Sequence, residues 1–216
     1  MRPASSAPTA LLLIDIQEGF KHPTHWGNSR STPSFEENVE KILGAARSHN
    51  TNNTQHQILV IHVHHHSTSP TSALHPSHFL PGSSTPSVAP LPFAAPKGSE
   101  PVFTKNQNSS FVGTKLEEML SSAGIRQLVV VGLTTDHCVS TTVRMAANLQ
   151  VLGDEGGPDG NGEGVHGVVV VRDAVATYEK GAFDAETVHA VNLASLDGEF
   201  ADIANTQDVM ATVFDA

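Results

Sequence analysis

Strand-like apolar runs at 10–14, 57–63, 102–104, 127–133 and 168–172, with a weaker one at 200–204, alternate with helix-like stretches at 36–48, 114–123, 137–150 and 184–197. This alternation constrains the fold more than any other feature, because strands joined through helices pair in parallel. Runs such as Val129-Val130-Val131 and Val168 to Val171 have no polar face. Both their sides must be covered, as they are when helices pack on each face of a parallel sheet. The prediction is a three-layer α/β/α domain over residues 1–216. Asp184 is placed to cap the last helix, with Val188, Val191 and Ala194 on one face, and Gly124 to close the second.

Two segments interrupt the rhythm. Residues 67–100 hold seven of the 13 prolines and no periodicity, which predicts a long ordered loop over the C-terminal edge of the sheet, forming an active-site wall. Residues 153–167 are glycine-rich and acidic, and read as a surface insertion. Gly162, Gly164 and Gly167 imitate a dinucleotide fingerprint, but they precede a strand where the fingerprint must follow one. Asp159, Asn161, Glu163 and Gly164 imitate a calcium loop, but Val170 stands where its bidentate glutamate belongs.

A net charge of -10 argues against nucleic acid or an anionic membrane as partner. One cysteine rules out an internal disulfide framework, so nothing demands an oxidising compartment. The apolar stretch from Ala10 ends at Asp15, too short for a signal core or a membrane span. The expectation is a soluble cytoplasmic protein acting on a small molecule.

That cysteine, Cys138, lies where the strand ending at Leu133 turns straight into a helix. A helix N-terminus stabilises a thiolate, which makes Cys138 a candidate nucleophile. Asp15 and Lys105 stand at the exits of two other strands, and strand exits are where an open α/β sheet carries its chemistry. Lys105 and the helix terminus are predicted to draw the thiol down toward neutrality, so that alkylation slows in Asp15→Asn or Lys105→Met. Near the same mouth the strand-end argument places Phe20, His64, Phe111 and His137 as substrate-binding candidates, His137 either touching substrate or pointing to solvent, with Thr135 added beside the nucleophile. Trp26, in the loop after the first strand, is a further candidate that either walls the pocket or plugs the core. His62, His64 and His66 share one face of the second strand, with His65 on the other. Three such imidazoles suit zinc or copper. The chain has no Asp-x-His pair to accompany them, and the expectation is that they line a pocket or bond to backbone, with no metal and no cofactor.

Leu-Leu-Ile-Asp-Ile-Gln around Asp15, Phe-Thr-Lys-Asn-Gln-Asn-Ser-Ser-Phe around Lys105, and Gly-Leu-Thr-Thr-Asp-His-Cys-Val-Ser-Thr-Thr around Cys138 together resemble the isochorismatase-like cysteine hydrolases. This superfamily includes nicotinamidases, N-carbamoylsarcosine amidases and streptothricin hydrolase, and the resemblance runs from about Ala10 to Val209. It implies a Rossmann-like, mostly parallel six-stranded sheet in the order 3-2-1-4-5-6. It also implies a catalytic set of Asp15, Lys105 and Cys138, and a cis peptide between Leu133 and Thr134, with the N–H groups of Thr134 and Cys138 as oxyanion donors. A homo-oligomer is the family-level expectation. The missing Asp-x-His pair departs from the nicotinamidases.

The chemistry these groups permit is hydrolysis of an amide or related C–N bond through a thioester, Asp15 moving the protons. Two alternatives remain open from sequence. One is vinyl-ether hydrolysis of the isochorismate type, and the other is a non-catalytic or redox-sensing member.

Overall fold

A computed structural model describes residues 1–153 and 167–214; the interior of the 153–167 segment, with its fingerprint-like and calcium-like patterns, lies outside them. Six strands form one parallel sheet, β1 (Thr9–Ile14), β2 (Leu59–His65), β3 (Val102–Lys105), β4 (Gln127–Leu133), β5 (Val168–Ala176) and β6 (Asp202–Ala204). Their order is β3-β2-β1-β4-β5-β6, as the resemblance implied. Helices α1 (Phe35–Asn52), α2 (Leu116–Ser122), α3 (Ser140–Asn148), α4 (Ala185–Ala194) and the short α5 (Thr206–Val209) complete the layers.

Alternation along the buried strands sorts the core into two halves. Leu11, Leu13, Val129, Val131, Val169 and Val171 pack with Phe35, Val39, Ile42 and Leu43 of α1. Their neighbours Leu12, Ile14, Val130, Val168 and Val170 pack with Leu116 and Leu120 of α2, Val143 and Ala146 of α3, and Leu193 of α4. Each such side chain contributes about 1.5–3 kcal/mol on burial. This explains why strands apolar at every position sit at the centre of the sheet.

The structure corrects some boundaries and one face. Strand β2 begins two residues later than predicted and runs on through His65, while β5 extends to Ala176 across a bulge opposite Val130 and Gly132. Asp184 caps α4, accepting a hydrogen bond from the N–H of Thr187 at 2.7 Å. That helix buries Ala185, His189 and Leu193, whereas Val191 is 63% exposed. The predicted Val188, Val191 and Ala194 face is therefore not the buried one.

Where β4 passes β1 the backbones come too close for any side chain. Gly132 has φ +131°, and a Cβ there would stand 2.1 Å from the carbonyl oxygen of Ile14. Gly132→Ala is expected to cost about 3 kcal/mol or more in urea unfolding, since the clash is with backbone that cannot rotate away. A midpoint unchanged from wild type would show that the strands part easily.

The proline-rich segment is stitched down on both sides. Gln17, fully buried, donates from Nε2 to the carbonyls of His65 (3.1 Å) and Val88 (2.9 Å), and its Oε1 accepts from the N–H of His65 at 2.7 Å. At the far end of the segment, Glu100 accepts two hydrogen bonds from Arg47 of α1, both 2.7 Å, and one from His62 Nε2 at 2.8 Å. Burial works against the charge on Glu100, but the bonds from Arg47, Lys97 N–H and His62 outweigh it and hold the carboxyl down at about 2. Because the folded-state value is depressed, this contribution to stability is complete above the unfolded value near 4.5 and is lost as pH falls toward 2. Glu100→Gln is expected to flatten that part of an acid-denaturation curve. An unchanged acid limb would remove this clamp from the account.

Candidate active site

Asp15 is the first residue past β1. It holds a left-handed backbone, φ 53°, with its N–H bonded to the carbonyl of Val63 at 2.8 Å. A non-glycine residue in that region carries about 1–2 kcal/mol of strain, which is kept where a side chain must be aimed. Lys105, the last residue of β3, shares the face of Phe103 and points into the same buried space. Its Nζ lies 2.8 Å from Asp15 Oδ2, 3.1 Å from the carbonyl of Gln107, 3.2 Å from Cys138 Sγ and 3.3 Å from His65 Nδ1. The Asp15 and Lys105 side chains have no exposure at all. The three strand-exit residues therefore meet at one point. Asp15 Oδ1 has no hydrogen-bond partner among the described residues, which leaves it able to take a proton.

Cys138 is 8% exposed and sits in a single π-turn, Thr135–Val139, that precedes α3. The peptide joining Leu133 to Thr134 is cis. Four consecutive residues of this turn face four different neighbours. Thr135 is fully buried and its Oγ1 pairs with His189 Nδ1 of α4 at 2.9 Å. Asp136 accepts a short hydrogen bond from Thr177 Oγ1 just past β5, and pairs with His137 Nδ1 at 2.9 Å and Lys180 Nζ at 3.7 Å. Burial opposes its charge, and the bonds from His137 and Thr177 overcome it, holding the carboxyl well below the usual range. His137 is exposed, and Cys138 faces Lys105. Further along, Thr142 Oγ1 accepts from the N–H of Ser110 at 2.9 Å, tying α3 to the segment that carries Phe111.

The electrostatics reverse the sequence-based expectation for the thiol. Burial pushes the Cys138 thiol up, the Asp15 carboxylate pushes it further, and Lys105 only partly opposes them. The physical reason is charge balance. Ammonium and carboxylate already neutralise each other, so ionising the thiol would leave a net negative charge out of water. Burial also works against the Lys105 ammonium, and Asp15 and Cys138 more than offset it, raising its pKa.

Of the predicted substrate contacts, Phe111 belongs to the apolar cluster that includes Cys138. Phe20 and Trp26 are stacked with centroids 4.6 Å apart, and both lie against Tyr178, packed on the α1 side of the sheet. Trp26 Nε1 donates to the carbonyl of Gly19 at 2.8 Å. Three candidates have partners outside the Asp15, Lys105 and Cys138 cluster. Thr135 is turned toward α4, and His137 is spent on Asp136 at the surface. His64 lies edge-on to His62, on the strand face opposite His65, its pKa lowered to about 4 by burial and by His62 and His66. The imidazole that does reach the cluster is His65, which the sequence reading set aside. Its position in step with Ile61 and Val63 was the available signal. Burial and then the Lys105 charge lower its pKa, so a neutral ring accepts from the ammonium.

His62 and His64 stand edge to face with ring centroids 6.4 Å apart, and His62 Nε2 is paired with Glu100 at 2.8 Å. Among the described residues, the potential metal-ligand atoms that converge within 4.8 Å belong to Asp15, His65 and Cys138. The Lys105 ammonium already bonds all three.

A parallel sheet that delivers a thiol, a carboxylate and an ammonium to one buried point at its C-terminal edge is the frame of a hydrolytic α/β enzyme. The Isochorismatase domain family model matches residues 9–208. A Bacillus subtilis protein named as an uncharacterised isochorismatase family member, YrdC, is 36% identical over 205 residues, 93% of this chain and 94% of its own length. A crystal structure from Chromobacterium violaceum, described as a hydrolase of the isochorismatase family, superposes with a TM-score of 0.79 at 32% identity, covering 100% of this chain and 98% of that one. The chain belongs to the isochorismatase family. A shorter stretch of 58 residues, 27% of this chain and 24% of the relative, is 41% identical to the ureidoacrylate amidohydrolase RutB of Acinetobacter baylyi.

Proposed function

We propose that the protein is a cysteine hydrolase that cleaves an amide or related C–N bond of a small molecule through a thioester on Cys138. The observation that carries this reading is the buried Lys105 ammonium, 2.8 Å from the Asp15 carboxylate and 3.2 Å from Sγ. Such a set holds a thiol, a base for its proton and a counter-charge for the thiolate in one place. The likeness to an amidohydrolase over part of the chain supports the C–N reading.

The steps follow from where the protons can go. As Sγ attacks the carbonyl carbon, the thiol proton passes to Asp15, and the charge arriving on sulfur is met by Lys105. The negative charge on the carbonyl oxygen is received by the N–H groups of Thr134 and Cys138 at the start of the π-turn. Asp15 then returns the proton to the leaving nitrogen, which departs as the C–N bond breaks and leaves an acyl group on sulfur. Water enters, gives its proton to Asp15 and attacks the thioester, which releases the acid and restores the thiol. Because the thiol starts protonated, proton transfer accompanies the attack, and Asp15 is the group on which the step depends.

An ammonia-release assay over a panel of small amides and ureides, with acid quenching and mass spectrometry of the Cys138 peptide, tests the reading. The expected result is turnover of at least one member with an acyl adduct on Cys138. Turnover of a vinyl ether without any adduct, and undiminished in Cys138→Ala, would replace this reading with non-covalent hydrolysis.

A further inference from the structure

The π-turn that carries Cys138 has little of its own to hold it. Thr134, which precedes it, gives no side-chain cap, and its carbonyl accepts from the N–H groups of His137 and Val139, both at 3.1 Å. Two side chains of the turn reach outward instead. Thr135 Oγ1 pairs with His189 Nδ1 of α4, and that ring is bonded in turn to the backbone of Arg172 within β5. Asp136 accepts from the hydroxyl of Thr177, the first residue past β5. Thr177 is itself a fixed post. It is fully buried, its N–H donates to Ser31 Oγ and its carbonyl accepts from the Ser31 N–H, both at 2.9 Å. The Asp136 side chain is only 9% exposed, and burial of that kind works against a charge. An apolar residue would pack the turn as well, but it would not aim it, because apolar contact has no preferred direction and a hydrogen bond does.

We propose that Asp136 is a positioning residue for the hydrolysis: anchored on Thr177, it orients the turn so that the N–H groups meeting the oxyanion point to one place. The inference rests on the thioester reading, in which those groups belong to Thr134 and Cys138. Asp136 lies midway between them in the chain, so a shift of its carboxylate is passed to both through a few rigid bonds. One oxyanion donor contributes ~10²–10³-fold in rate, and such a contribution survives only while the geometry is held to within about 0.5 Å. The bond from Thr135 to His189 supplies the second anchor. A turn held at one point can still rotate, whereas one held at two cannot. His137 Nδ1 at 2.9 Å and Lys180 Nζ at 3.7 Å balance the Asp136 charge from the solvent side. The carboxylate consequently stays ionised, and both its oxygens remain acceptors.

Two reagents separate the aim of the turn from the reactivity of the thiol. Iodoacetamide is attacked at a saturated carbon and forms no oxyanion, whereas p-nitrophenyl acetate passes through one before p-nitrophenol leaves and the acetyl group stays on sulfur. Wild type, Thr177→Val, Thr177→Ser, Asp136→Ala and the double variant Asp136→Ala, Thr177→Val are treated with each, and the adducts are located on the Cys138 peptide by mass spectrometry. Acetylation is expected to slow at least about tenfold in Thr177→Val and in Asp136→Ala, and to return to within about threefold of wild type in Thr177→Ser, which restores the hydroxyl. The double variant should be no slower than the slower single one, since the two residues act through one bond. The pH midpoint of alkylation should stay where it is in Thr177→Val, which also verifies its fold. Acetylation unchanged in both single variants overturns the proposal. So does a loss of alkylation equal to the loss of acetylation, because the role would then be general packing. Wild-type protein that alkylates at Cys138 but never acetylates there overturns the thioester reading itself, and the positioning role falls with it.

Discussion

Cys138→Ala is expected to lower kcat/KM by ~10⁴-fold or more while leaving the fold in place, because the other members of a nucleophile-and-base unit cannot act without it. The structural cost is small. Sγ is one atom in a residue already 8% exposed, and its partners Asp15 and Lys105 keep each other. Loss of that atom costs about 1 kcal/mol, equivalent to roughly 2–4 °C in melting temperature for a chain of this size. Cys138→Ser is the sharper control, since a hydroxyl keeps a hydrogen bond to Lys105 yet is far harder to ionise beside Asp15. Both variants should be inactive and both should melt near the wild type. Activity in either one above about a hundredth of wild type would mean that the thiol is a bystander, since the expected loss is ~10⁴-fold.

The covered parallel sheet is legible because strands that are apolar on both faces leave few ways to be buried, whereas its strand order followed only from the family resemblance of the motifs around Asp15, Lys105 and Cys138. The three chemical residues are legible because each stands at the exit of a strand. What the sequence hides is direction. Thr135, Asp136, His137 and Cys138 are neighbours along the chain, yet successive residues of a helical turn point in different directions around its axis. They consequently reach α4, the exit of β5, solvent and the thiol cluster in turn. Nearness to the nucleophile in sequence therefore says little about nearness to substrate. The histidines of β2 show the converse. Alternation divides them correctly, but the apolar company of His65, not the number of rings on a face, decides which one meets Lys105. Strand β5 was cut short in the prediction because Arg172 and Asp173 interrupt its apolar run at a bulge, where the chain tolerates polar residues without leaving the sheet. The buried face of α4 was missed because its anchor is a polar contact, His189 to Thr135, which hydrophobic periodicity cannot register.

Asp15→Asn should abolish turnover and at the same time make Cys138 easier to ionise. In the wild type the thiol is raised by burial and by the Asp15 charge, against the pull of Lys105. Removing the carboxylate charge leaves the ammonium 3.2 Å from Sγ with no competing anion beside it, so a thiolate there restores neutrality to the buried cluster. The pH midpoint of iodoacetamide alkylation is expected to fall by at least about one unit, the size of effect usual for a charge within hydrogen-bonding distance. Lys105→Met acts in the opposite sense, since it leaves Asp15 facing the thiol without compensation, and the midpoint should rise. Both variants lose hydrolysis, one for want of a proton acceptor and the other for want of a counter-charge. Alkylation profiles followed by intact-mass spectrometry on the three proteins measure all of this without a known substrate. If Asp15→Asn and Lys105→Met move the midpoint the same way, Asp15 is lending the thiol stability as an anion rather than holding it as an acid, and the concerted transfer proposed for the attack is wrong.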